Sequence, residues 1–140
     1  MIDREIVTSR LSHIHESLDL LRPILDVSPD EYQRNPDCYL KAERLMEIIA
    51  QAMIDICAHV AAAKGLPKAE DYRQLADILA DRGIISETLR GPLQGIFALR
   101  NILAHQYLIL DRVRFQAEVK AGIGQIEAFC SQLASQALRR

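Results

Sequence analysis

Apolar residues recur along this chain in the four-and-three rhythm of helices. Val7, Leu11, Ile14, Leu18, Leu21 and Leu25 form the first such stripe, predicting an amphipathic helix over roughly residues 3–22. Pro23 lacks the amide proton that a helix ladder needs, so the helix either continues past a kink or stops just before it. Ser28-Pro29-Asp30-Glu31 brings a capping hydroxyl, a proline at the first helical position and two acids, the start of a short helix. Asn35-Pro36-Asp37 then breaks it.

From about Cys38 to Lys64, the positions Leu45, Ile48, Ile49, Ala52, Ile56, Val60 and Ala63 predict a long central helix, stopped by Gly65 and followed by Pro67. Beside its stripe run Gln51, Asp55 and His59, one turn apart from each other. This polar ladder reads as a solvent-facing strip, with the lining of a cleft as the alternative. Asp71 to Arg82 holds Leu75, Ile78 and Leu79, a helix of about three turns that Gly83 ends. Ser86-Glu87 restarts the chain, and the next helix reaches about His105 with Gly91-Pro92 kinking it near its start. Asp111 caps a last helix over about Arg112 to Leu138, whose stripe is Val119, Ile123, Ile126, Phe129, Cys130 and Leu133. The pattern predicts an all-α antiparallel helical bundle of four to five main helices, one domain over residues 1–140.

Composition narrows this picture. A chain of 140 residues buries a core without disulfides or a structural metal. With no Trp and 5% aromatics, that core falls to Leu, Ile, Ala and Val. The run from Leu45 to Ala63 is about as long as a membrane span, but Glu47, Asp55 and His59 interrupt it. It reads as a buried bundle helix, and no membrane association is expected. Cys38, Cys57 and Cys130 are odd in number and show no CxxC spacing, which suits a reducing cytoplasm and argues against a disulfide framework or a zinc site. The charged N-terminus shows no apolar signal-peptide core. His13 and His15, two residues apart, fall on different helix faces and read as solvated side chains rather than a ligand pair.

A formal net charge of −2 argues against a broadly basic nucleic-acid binder. The charge is uneven, however. Arg82, Arg90, Arg100, Arg112 and Arg114 face Glu87 and Asp111 within one stretch, either a local basic patch or a chance run of solvated arginines. No GxGxxG, Walker loop, HExxH or Glu-x-x-His pair is present, so no cofactor or metal is expected.

The chemistry concentrates in Arg100-Asn101-Ile102-Leu103-Ala104-His105-Gln106-Tyr107. Arginine holds a phosphate and its transition-state charge without a metal, and histidine moves a proton to or from a ribose or leaving oxygen. On an ideal helix His105 lies about 140° around and roughly 7.5 Å along from Arg100. Either the helix end frays to bring the two together, or a two-fold dimer brings both pairs into one cleft; we favour the dimer.

Arg-x4-His-x-Tyr at Arg100, His105 and Tyr107, with Asn101 directly after the arginine, resembles the signature of the HEPN superfamily, in its HepT-like toxin branch. The likeness extends to the long Glu43–Lys64 helix before Gly65, the Asp71-Tyr72-Arg73 segment, the Gly83–Ser86 joint and Leu99-Arg100-Asn101. It implies an all-α homodimer whose cleft holds both copies of the motif, acting on RNA as a metal-independent endoribonuclease toxin. Arg100 and His105 would then be catalytic and Asn101 the companion that orients the site. Tyr107 would accept AMP from a minimal nucleotidyltransferase antitoxin. The alternative is a non-catalytic module that binds a nucleotide or such a partner.

Overall fold

Side-chain oxygens start most of the helices. Asp3 accepts from the amides of Glu5 and Ile6 at 3.0 and 3.2 Å, Ser28 from Glu31 at 3.1 Å, Asn35 from Asp37 at 3.0 Å, Asp71 from Gln74 at 2.7 Å and Asp111 from Arg114 at 3.1 Å. Each satisfies a donor that the first helical turn leaves without a partner. In the computed structural model, which describes residues 1–105 and 110–138, the helices are α1 (Arg4–Leu25), α2 (Pro29–Arg34), α3 (Pro36–Ala63), α4 (Tyr72–Asp81), α5 (Glu87–His105) and α6 (Arg112–Leu138). The all-α architecture expected from the pattern is present. Gly65 and Gly83 end α3 and α4 at φ of 66° and 70°, and the next amides, Leu66 and Ile84, reach back to Ala61 and Leu79 at 2.9 Å each. That closing turn needs the left-handed backbone that glycine adopts without strain.

At the prolines, α1 follows the alternative that continues past Pro23, α5 runs through Gly91-Pro92 as the sequence reading has it, and only the break at Asn35 is narrower than expected. Helix α1 runs through Pro23 to Leu25. The amide that Pro23 lacks would have met the carbonyl of Asp19, which is exposed, while Leu21 and Leu25 stay buried and hold the last turn. Asn35-Pro36-Asp37 separates α2 from α3 by Asn35 alone, because Asn35 caps α3 and Pro36 takes its first position. Helix α5 likewise continues past Gly91 and Pro92.

Helix α3 is the centre. It lies along α1 over the most extensive contact and also meets α2, α4 and α5, while α6 packs on α1 and α2 and touches α5 only lightly. Because neighbours surround it, α3 buries more than one stripe: Met46, Met53, Ile54 and Cys57 join Ile49, Ala52, Ile56 and Val60. By length and composition this helix is apolar enough to cross a membrane, but its most apolar window is 56% buried inside the bundle. The core takes residues from all six helices. Gln116, 4% exposed, donates to the carbonyls of Leu25 at 3.0 Å and Val27 at 2.8 Å, so α6 satisfies the open end of α1. Ser86 and Gln132 exchange hydrogen bonds at 2.8 and 3.1 Å, fixing the start of α5 against α6.

Candidate active site on the fifth helix

Leu89, Leu93, Phe97 and Leu103 bury one face of α5, which leaves Arg100 half-buried and Asn101 and His105 exposed. Arg100 is held on three sides. Its Nε donates to Gln51 Oε1 on α3 at 2.9 Å, and its Nη1 donates to Asn101 Oδ1 at 3.2 Å. Its guanidinium carbon sits 6.0 Å from the centre of the Tyr72 ring, within the range of a cation–π contact. Tyr72 is in turn fixed edge-on against buried Phe97, centroids 6.4 Å apart and planes at 75°.

The Gln51–Asp55–His59 ladder divides in the folded chain. Gln51 Nε2 donates to Asp55 Oδ1 at 2.9 Å, and Asp55 Oδ2 lies 3.6 Å from Arg10 Nε. A polar relay therefore crosses three helices, from Arg10 through Asp55 and Gln51 to Arg100 and Asn101. These two rungs line a cleft rather than a plain solvated strip. The third rung does something else, since His59 Nε2 accepts the Asp3 amide at 2.9 Å and pins the start of α1.

Arg100 and its neighbour Asn101 line two different hollows. The first, which Arg100 shares with residues of α1 and α3, is a cleft of about 520 Å³. The second is a hollow of about 460 Å³ that includes Tyr72, Gln94, Phe97 and Asn101. Arg100 and Asn101 are brought together as expected. His105 is the last residue of α5, lines neither hollow, and is not among the hydrogen-bond partners of Arg100 in the described residues. Tyr107 lies outside the described residues.

The arginine-rich stretch does not form one basic surface. Arg90 is enclosed by Asp77 at 2.7 Å, Asp81 at 2.5 Å and Glu87 at 2.6 Å, and these carboxylates raise its pKa further. Arg114 pairs with Glu118 at 2.7 Å, and Arg112 lies 3.8 Å over the Tyr39 ring. Sequence reasoning missed Gln51 and Tyr72 as the supports of Arg100, and Arg10, His13 and Arg44 as cleft residues. Spacing within one helix carries no signal for contacts made across three.

The model of the HepT-like ribonuclease family matches residues 14–133. The chain belongs to the HepT-like ribonuclease family. The family match agrees with the HEPN and HepT-like resemblance carried by Arg100, His105 and Tyr107. Among relatives of this HepT-like chain is the tRNA nuclease HepT of Aphanizomenon flos-aquae, 27% identical over 134 residues, covering 96% of this chain and 91% of that protein. The fold is similar to that of the tri-AMPylated Shewanella oneidensis HEPN toxin in complex with its MNT antitoxin, with a TM-score of 0.83, 18% identity and coverage of 96% and 99%. It is also similar to YutE of Bacillus subtilis, a cytosolic protein of unknown function, with a TM-score of 0.83, 21% identity and coverage of 96% and 90%.

Proposed function

We propose that this HepT-like chain is a cytoplasmic toxin that cleaves RNA as a metal-independent endoribonuclease. The observation that carries the reading is Arg100, clamped by Gln51, Asn101 and Tyr72 at the edge of a cleft, in a chain of a ribonuclease family. An arginine fixed before substrate arrives is a preorganised holder for the scissile phosphate and for the charge that grows on it in the transition state. His105 serves as the proton-transfer group. Acting as base, an imidazole takes the proton of the ribose 2′-hydroxyl as that oxygen attacks phosphorus; acting as acid, it returns a proton to the departing 5′-oxygen. The products are a 2′,3′-cyclic phosphate and a 5′-hydroxyl. Asn101 orients the arginine.

The exposed end of α5 supports a two-fold homodimer as the active form, since one protomer leaves His105 apart from Arg100. On the same helix Ile96, Leu99 and Ile102 border an apolar groove beside α6, a surface that a mate can cover. Regulation is assigned to a minimal nucleotidyltransferase antitoxin that transfers AMP from ATP to the Tyr107 phenol oxygen and releases pyrophosphate. The added anion stands seven residues from Arg100 and competes with RNA for it. The similarity to a tri-AMPylated toxin held by its antitoxin supports this arm.

The test compares wild type with His105→Ala on cellular RNA in the presence of a chelator. Cleavage by wild type and its loss in the variant is the expected result; equal cleavage by both removes His105 from the mechanism.

A further inference from the structure

Positive charge gathers at a place no single stretch of sequence announces. Arg10 and His13 from α1, Arg44 from α3 and Arg100 from α5 line one open cleft of about 520 Å³, against the carboxylates Glu47 and Asp55. Three guanidiniums thus outnumber two carboxylates, with the His13 imidazole beside them as a further hydrogen-bonding group. Arg10 meets Asp55 through Nε at 3.6 Å, and Arg44 meets Glu47 through Nη1 at 3.1 Å. The two arginine side chains are 43% and 68% exposed, so these ion pairs are well solvated and exchange readily for another anion. Asp55 is also the partner of Gln51, which holds Arg100. Arg10 is therefore tied to the same relay as the arginine proposed to hold the scissile phosphate, and Arg44 lines the same cleft.

We propose that Arg10 and Arg44, with His13 as a third donor, form a subsite for a backbone phosphate of the RNA strand next to the one at Arg100. The inference rests on the ribonuclease reading above and deepens it. A second phosphate contact fixes the register and direction of a strand without reading its sequence. Guanidiniums suit the task because their fork matches two phosphate oxygens at once. Glu47 and Asp55 keep both arginines turned toward the cleft until RNA displaces them.

The experiment measures binding of a fluorescent single-stranded RNA by anisotropy at several salt concentrations, in a His105→Ala background that prevents cleavage. Arg10→Gln with Arg44→Gln is compared with a charge-matched control, Arg22→Gln with Arg34→Gln, whose arginines pair with Glu127 and Asp30 outside the cleft. The subsite predicts about a tenfold loss of affinity in the cleft variant, and a salt slope lower by about 0.7, for the one phosphate no longer neutralised. Arg10→Lys with Arg44→Lys should recover most of the slope. If the cleft variant matches the control while wild type binds and cleaves RNA, the subsite is wrong and the ribonuclease reading stands. If wild type neither binds nor cleaves, both fall. Should the double variant lose its thermal transition, Arg44→Gln alone carries the test with half the slope change.

Discussion

Gln51 on α3 accepts the Nε hydrogen of Arg100 on α5 at 2.9 Å, so a central core helix sets the direction of the proposed phosphate-holding arginine. Gln51→Leu removes that acceptor with little change in bulk. A hydrogen bond to a charged group is worth about 1.5 kcal/mol, and its loss should lower kcat about tenfold with a smaller change in KM. Gln51→Glu keeps an acceptor but places a carboxylate against Arg100; it should retain thermal stability and lose RNA affinity. Steady-state cleavage and melting of the two variants check both statements.

Mixing inactive variants tests the composite dimer site. In a heterodimer of Arg100→Ala and His105→Ala, one of the two Arg/His pairs formed across the dimer cleft keeps an intact arginine from one protomer and an intact histidine from its partner. After subunit exchange, activity should return to about a quarter of wild type. No recovery, with exchange verified by mass, would place both groups in the same protomer. A monomer by light scattering at micromolar concentration would remove the dimer itself.

The three thiols should separate by reactivity. Burial pushes the Cys57 thiol far up, and burial with Glu127 nearby pushes Cys130 up to about 11, while Cys38 is only half-buried. Thiolate is the reacting form, so a mild alkylating reagent at pH 8 should modify Cys38 first and the other two only on unfolding. The same shifts fix a pH trend. Folded Cys130 holds its proton above the ordinary value of 9, where the unfolded chain has lost it. The folded state then binds more protons, and stability falls as pH rises from about 9 toward 11. Denaturant midpoints across that range, compared with Cys130→Ala, measure it.

Gly65 and Gly83 should tolerate substitution sterically but not conformationally. A Cβ at either position meets nothing within 4 Å, yet both have positive φ. Alanine there should cost about 1 kcal/mol each through the backbone alone, and asparagine, which tolerates this region better, should cost less. Thermal melts of the four single variants would show it.

Most of the architecture was legible in the chain itself. The caps at Ser28 and Asp111, the stops at Gly65 and Gly83, and the stripes of α1, α3 and α6 are local signals, each readable within a turn or two of helix. The motif at Arg100, Asn101 and His105 was visible for the same reason. The sequence by itself determined a helical bundle and pointed to the residues proposed to carry phosphodiester chemistry. Tertiary packing decided how they are used. The arginine-rich stretch dispersed because Arg90 and Arg114 turn to carboxylates, and the charged cleft formed from Arg10, Arg44 and Arg100, which lie far apart along the chain. Gln51 became the support of Arg100 across 49 positions. Helical periodicity reports which residues share a face, whereas electrostatics and hydrogen bonding depend on which faces meet, and that is settled only when α1 and α5 pack on α3.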